Sequence, residues 1–337
     1  MTAGSFQLGL EHDPRQHDPG AWGASLLHNA ELVVAVLDAC GGTSITEVGA
    51  LDGDLTRLLL RFSERAGGTV IAVEPAPHDE LEALARDRRG LDLVRQTSLE
   101  ALGQIPLTDV IILDGDHNYY TVSRELRLIA QRAADAGRQL PLVLLHDVCW
   151  PHGRRDDYYV PERIPVEHRQ PIAAQAALFP GDPGTREGAV PYHHPASREG
   201  GPRNGVLTAA EDFAAAHAQL RLAVVPAFFG LGVLWDTTGP CSQALETLLR
   251  PWDRNPQLER LERNRVLHLA NTQVQLNIVR RTQARLAEQE RQLQCQRELL
   301  QRMLDSRAFA AAERFLRLRH REPAFSRDAI QRALDEP

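Results

Sequence analysis

The chain has 337 residues, 43% hydrophobic and 25% charged, with a formal net charge of −7 and no lysine among its 38 basic residues. Ordinary composition excludes a disordered chain, and the acidic balance argues against nucleic acid as the main partner, since phosphate backbones attract basic faces. The absence of lysine rules out a Schiff-base lysine or a P-loop phosphate clamp.

Single cores seldom grow past about 250 to 300 residues, so the length predicts one main domain and an appendage. No apolar run approaches the roughly 18 residues of a membrane span, and the first twenty residues lack a basic start followed by an apolar core. These features predict a cytoplasmic protein with no membrane partner. The cysteines, Cys40, Cys149, Cys241 and Cys295, show no paired spacing of the zinc or redox kind.

In chain order, residues 1–42 read as an N-terminal helical cap, ending in the apolar "ASLLHNAELVVAVLDAC". From 43 to about 147, short apolar runs alternate with amphipathic segments, which predicts an α/β domain with a mostly parallel sheet. Strands are predicted at 44–49, 69–74, 91–96, 109–114 and 141–147, with helices at 54–67, 78–90 and 118–137. Residues 148–205, rich in Pro, Gly, His, Arg and Tyr, read as a long irregular insertion of the kind that usually serves a function. A helix follows at 205–220, then two strands within 221–236 joined by a tight turn near Gly230. From 253 to 337 the composition turns to Arg, Gln and Leu, predicting a long helix or helical hairpin. Its loose three-or-four spacing of Leu and Val suits self-association into a homo-oligomer or packing back on the domain.

At the end of the first strand the chain reads "EVGALDGD". Gly49 and Gly53 follow a strand and open a helix, where small residues let the backbone approach a ligand. The spacing differs from the Gly-x-Gly-x-x-Gly that makes room for a pyrophosphate. Glu47 would repel a pyrophosphate and accommodate a cationic group. Glu74 ends the second strand, where a carboxylate can accept both hydroxyls of a ribose. A ribose without pyrophosphate, beside a cation, describes S-adenosylmethionine.

"EVGALDG", "VEP", "ILDGDHNYYTVSREL" and "LLHDVCWPHGRRDDYY" together resemble class I S-adenosylmethionine-dependent methyltransferases, in particular the Methyltransferase-24-like enzymes of bacterial secondary metabolism and sugar tailoring, over about residues 40–240. The resemblance implies a Rossmann-like, seven-stranded sheet in the order 3-2-1-4-5-7-6. It also implies that Glu47, Gly49 and Gly53 flank the methionine part of the cofactor, Glu74 the ribose, and Thr97 and Ser98 the adenine, with Asp114 at the end of strand four. Related metal-dependent enzymes carry an acid after strand four and an acidic pair after strand five. Here Asp114, His146 and Asp147 stand at those places, so a Mg²⁺ or softer divalent ion is expected as one alternative and no metal as the other.

Methyl transfer to a hydroxyl or ammonium also needs a base. The candidates are His117, His146 and Asp147, whereas Asp116 reads as a helix cap. From the insertion, Trp150, His152, Arg154, Arg155, Asp157, Tyr158 and Tyr159, with Arg203 and Asn204 further on, are candidate contacts for a hydroxylated small-molecule substrate. His193 and His194 are adjacent and point apart on an extended chain, which disfavours them as a ligand pair. The C-terminal stretch 306–334 resembles tails of bacterial glycosyltransferase proteins and points the substrate toward sugars. The expected activity is methyl transfer to O or N of a sugar-containing antibiotic-like product, an aminosugar or a nucleotide sugar. A nicotinamide-dependent sugar oxidoreductase or epimerase and a degenerate, scaffolding methyltransferase fold are the alternatives.

Overall fold

The structure is a computed structural model that describes residues 24–173, 176–186, 188–319 and 326–335. Most of the predicted helical cap before Ala24 lies outside the described residues, as do 320–325 and 336–337. By its internal contacts the chain separates into two compact units, Met1–Gln273 and Val274–Pro337.

In the first unit, the apolar runs become β1 (Ser44–Val48), β2 (Thr69–Val73), β3 (Leu91–Val94), β4 (Val110–Leu113), β5 (Leu142–His146), β6 (Leu220–Val225) and β7 (Leu231–Asp236). They form one sheet in the order β3-β2-β1-β4-β5-β7-β6. The first five strands are parallel, and the closing hairpin is antiparallel to β5. The fold is the Rossmann-like methyltransferase architecture that the resemblance implies. Helices cover both faces, which is why "VIIL" can be apolar at every position.

Alternation along each strand divides the core. Ile45, Val70, Ile112, Leu144 and Trp235 pack on one side with α1 (Ala30–Cys40), α2 (Asp54–Ala66) and α7 (Ser242–Leu249). On the other side Val48, Ile71, Ile111, Leu113 and Leu145 pack with α5 (Tyr119–Asp135), the short α4 (Ser98–Ala101) and α6 (Val206–Ala215). Each fully buried Ile, Leu or Val contributes about 1.5–3 kcal/mol, so these two layers fix where every strand ends. α3 (Asp79–Asp87) completes the set before β3. The sequence reading did not place α4 or α7: one is four residues long, and the other is only eight, between the turn at 237–241 and the long C-terminal helix.

Residues 148–205 are irregular as expected, but tied down. They contain turns at Pro161–Arg163 and Val166–His168 and a two-residue ladder between Ala177–Leu178 and Val190–Pro191. After β7 the segment read as a helix or hairpin is one helix, α8 (Pro256–Asp305), followed by α9 (Arg307–Leu318) and α10 (Arg327–Asp335). Leu276, Val279, Leu286 and Leu293 on α8 are exposed. Among the described residues no helix is long and apolar enough to cross a membrane.

Candidate active site

The C-terminal ends of β1, β2, β4 and β5 open into a cavity of about 1420 Å³, at the crevice where open α/β sheets bind ligands. Of the predicted residues, Glu47, Gly49, Glu74, Thr97, Ser98, Asp114, His117, Asp147, His152, Asp157 and Tyr159 line it. Acidic groups dominate the wall. Arg163 is the only arginine among the described lining residues, against Glu47, Asp52, Asp54, Glu74, Glu100, Asp114, Asp116, Asp147 and Asp157.

On the β1–β2 side, each carboxylate is held by its neighbours. Glu74 accepts from the backbone N–H of Leu51 (3.1 Å) and of Ala76 (3.0 Å). Glu47, 2% exposed, accepts the Thr56 hydroxyl at 2.6 Å. Burial pushes its pKa up to about 8 despite that hydrogen bond, with Asp114, Asp52 and Glu74 adding to the rise. Gly49, at φ +88°, is required for contact between strands: a Cβ there would lie 2.1 Å from the Asp114 carbonyl oxygen. Gly53 lies outside the cavity lining, and a Cβ there would press on the Leu81 and Leu84 side chains of α3, so the glycine lets α2 and α3 approach. Thr97 donates from both backbone and hydroxyl to Glu100, fixing the chain at the start of α4.

The β4–β5 side is a compact set of histidines and carboxylates. Asp147 sits just past β5 with φ +57°, a left-handed conformation that persists in a non-glycine residue where the surroundings dictate it, often at functional sites. His117 Nε2 is 3.0 Å from Asp147 Oδ2 and 3.8 Å from Asp114 Oδ1. His146 Nδ1 is 3.0 Å from Asp114 Oδ1 and 3.5 Å from Asp147 Oδ2. Burial disfavours the charge on His146, but the two carboxylates outweigh it and raise its pKa to about 9. Burial likewise opposes charge on His117, and Asp147 carries its pKa well above the usual imidazole range. Conversely, His146 and His117 hold the Asp147 carboxyl well below the usual range, against its burial. His152 stacks on His117 with ring centroids 4.6 Å apart, and burial together with that neighbour pushes its pKa down to about 3.

His146 is the exception among the three candidate bases. It is 1% exposed and absent from the cavity lining, and its Nε2 donates to the Phe228 carbonyl at 3.0 Å. It is buried behind Asp114, 3.0 Å from that carboxylate. The Phe228–Phe229 turn is itself clamped, because Glu262 on α8 accepts from both backbone N–H groups at 3.1 and 2.8 Å. Asp116 is not the cap of α5: Asn118 accepts from Thr121 N at 2.9 Å, while Asp116 takes the Thr121 hydroxyl and lines the cavity.

Six predicted substrate contacts lie outside the cavity lining. Arg155, 1% exposed, donates to the carbonyls of Ala196 (2.7 Å), Pro183 (2.8 Å) and Gly184 (3.1 Å). Tyr158 donates its hydroxyl to Asp156 at 2.7 Å. Asn204 accepts from Asp156 N at 2.7 Å and donates to the Arg198 and Gly200 carbonyls. All three are buried struts, because an irregular segment must satisfy its backbone with side chains. Arg154 pairs with Glu211 on α6 at 2.6 Å; Arg203 is exposed and Trp150 half-buried, neither reaching the cavity.

The structure adds lining residues that the sequence reading left unassigned: His28 and Ser25 ahead of α1, Asp52, Arg163, Tyr192 and Phe229. Tyr192 was one place from "HH", the only local signal. His193 lines the cavity and His194 turns to the Tyr158 carbonyl.

Residues 46–148 match the family described as "Methyltransferase domain", the family of the resemblance. Among solved structures, an S-adenosylhomocysteine-bound methyltransferase from Podospora anserina aligns with 66% of this chain and 83% of its own, at 13% identity and TM-score 0.40. A 1,6-didemethyltoxoflavin-N1-methyltransferase from Burkholderia thailandensis aligns with 66% and 82%, at 14% identity and TM-score 0.36. No curated protein matches the chain.

Proposed function

We propose that the chain is an S-adenosylmethionine-dependent methyltransferase that methylates an oxygen or nitrogen of a hydroxylated, sugar-containing small molecule. The observation that carries this reading is the acid-lined cavity at the ends of β1, β2 and β4, within the segment that matches a methyltransferase domain. A pyrophosphate cofactor would meet Glu47, Asp52 and Glu74, while the nearby Arg57 is engaged by the Asp52 carbonyl and the Asp54 carboxylate and is not among the described lining residues. A sulfonium-bearing nucleoside gains from the same charges, with Glu74 to accept the ribose hydroxyls.

Around His117 and His152 the lining continues in Tyr159, Tyr192 and His193, whose rings lie 5.2–5.9 Å from their neighbours in this set. Flat aromatic faces interspersed with hydrogen-bonding groups suit a polar ring. Asp114, His117 and Asp147 stand just past the ends of β4 and β5 in the same lining, and there the acceptor atom would meet the methyl group. In the reaction, the acceptor's lone pair attacks the methyl carbon in line with the departing sulfur, and S-adenosylhomocysteine leaves as the acceptor loses its proton. The Asp114–His117–Asp147 wall holds the acceptor and draws off that proton; His146 keeps Asp114 in place from behind.

Calorimetry with S-adenosylmethionine, S-adenosylhomocysteine and NAD tests the cofactor half. Binding of the first two and not NAD is expected, and failure of both to bind would sink the reading. Mass-shift screening of aminosugars, nucleotide sugars and glycosylated aromatics tests the acceptor half, with a gain of one methyl group as the positive result.

A further inference from the structure

Five metal-ligating side chains cluster at the ends of β4 and β5, four of them on the cavity wall. They form two overlapping triads that share Asp147: Asp114, His146 and Asp147, and His117, Asp147 and His152. In each, the possible ligand atoms all lie within 4.8 Å of one another. Sequence reasoning reaches only the first, from the strand ends. The second joins the end of β4 to the insertion.

The second triad is the one open to a ligand. His117, Asp147 and His152 all line the cavity, whereas His146 is shut behind Asp114. His152 is 5% exposed, and its Nδ1 is buried without a hydrogen-bond partner. His117 Nε2 is buried too, and although it lies 3.0 Å from Asp147 Oδ2 it makes no aligned hydrogen bond. Leaving the His152 nitrogen unpaired is unfavourable. A cation would satisfy it and share the Asp147 carboxylate with His117. Two ligands at right angles on an ion about 2.1 Å away sit roughly 3 Å apart, which is the spacing of His117 Nε2 and Asp147 Oδ2.

We propose that His117, Asp147 and His152 bind a divalent first-row transition-metal ion on the acceptor side of the cavity. Two imidazoles and one carboxylate are a borderline donor set, suited to Mn²⁺, Fe²⁺, Co²⁺ or Zn²⁺, whereas Mg²⁺ prefers all-oxygen surroundings. Three protein ligands leave positions for exogenous oxygens. Such an ion lowers the pKa of a hydroxyl it binds, with Asp114 left as the nearby carboxylate to accept the proton. Only that role rests on the methyltransferase reading; the ion site itself does not.

The test uses the full-length chain, stripped with chelator and titrated with Co²⁺ by visible d–d absorption and calorimetry in excess Mg²⁺. One Co²⁺ per chain, resistant to Mg²⁺, is expected. His152→Ala should weaken it by more than the roughly 10- to 100-fold lost with an outer hydrogen-bonding partner, and His146→Ala by no more than that. Absence of Co²⁺ binding, or loss in His146→Ala with full retention in His152→Ala, overturns the proposal. Should His152→Ala fail to fold by circular dichroism, pulsed electron paramagnetic resonance of Mn²⁺-loaded wild type decides: coupling to two imidazole nitrogens supports the site, and one or none overturns it. Cobalt binding in a protein that ignores S-adenosylmethionine would leave the metal site standing and break the methyltransferase reading.

Discussion

The strand ends and the insertion both carry dense charge, yet the two use it in opposite directions. At the ends of β1, β2, β4 and β5, Glu47, Glu74, Asp114 and Asp147 line the cavity. In the insertion, Arg155, Asp156 and Asn204 turn inward and are at most 2% exposed. The difference follows from backbone accounting. A strand in a sheet has its N–H and C=O groups paired by neighbours, so the side chains at its end are free to face a ligand. An irregular segment has no ladder, so its polar side chains are drawn into satisfying carbonyls and amides. Charge within a regular frame therefore points to chemistry, whereas charge in a long ordered loop first has to be checked for scaffolding.

The largest test of this contrast is Asp156. Its carboxylate accepts from Tyr119 N, Gly205 N and the Tyr158 hydroxyl, each at 2.7 Å, and every lost partner leaves a buried donor worth roughly 1–3 kcal/mol. Asp156→Ala should cost several kcal/mol by denaturant titration, the sum of about three such terms. If stability held and only acceptor turnover fell, Asp156 would belong to the chemistry and the contrast would fail. Glu74→Ala is the mirror case. Losing a carboxylate that would accept two ribose hydroxyls should weaken S-adenosylmethionine by about 1.5–3 kcal/mol, or about 10- to 100-fold, in calorimetry, and the Leu51 and Ala76 N–H groups left without their acceptor should lower stability by less than Asp156→Ala does, since two donors are orphaned rather than three.

Most of the fold was legible because periodicity reports burial, and burial is what the sheet and its helices are made of. "VIIL" and "LVLLH" could only be central strands, and the polar residues that follow them had to emerge at the ligand crevice. The cavity wall was legible to the same depth: Glu47, Glu74, Asp114, His117 and Asp147, read from strand ends and from the family resemblance, all line it. Less legible was what the tertiary return of the chain decides: of the candidates in the insertion His152, Asp157 and Tyr159 line the cavity, and the others do not. His152 and Tyr192 reach the cavity, while Arg155, Tyr158 and Asn204 do not, and no local pattern distinguishes the two groups. His146 has the expected strand position, but β7 and the Phe228 turn close over it and keep it out of the cavity lining.

Glu47 gives a smaller, pH-resolved test on the strand-end side. With its pKa raised to about 8 by burial, it is largely neutral at pH 7, and a cationic cofactor favours the ionised form. Binding then releases a proton, so affinity should rise between pH 7 and 8, by at most about tenfold per unit, and level off above. Glu47→Gln should flatten that rise in calorimetry, and a slope unchanged in the variant would assign the proton elsewhere. The sign for folding is opposite. A carboxyl whose folded pKa lies above its ordinary 4.5 holds its proton more tightly when folded, so the stability it contributes is full below about 4.5 and is lost as pH rises toward about 8.

The smallest effect separates surface charge in the insertion from its buried counterpart. Arg154 pairs with Glu211 at 2.6 Å, but its side chain is 42% exposed and Arg254 contacts the same carboxylate at 3.1 Å. Exposed pairs contribute about 0–1 kcal/mol, and the second arginine keeps Glu211 neutralised. Arg154→Ala should therefore shift the denaturation midpoint by less than about 1 kcal/mol and leave cofactor affinity unchanged. A large loss of acceptor turnover with cofactor binding intact would mean that Arg154 swings from α6 into the cavity during the reaction. That result would return to the insertion the substrate-binding role that its buried neighbours have given up to structure.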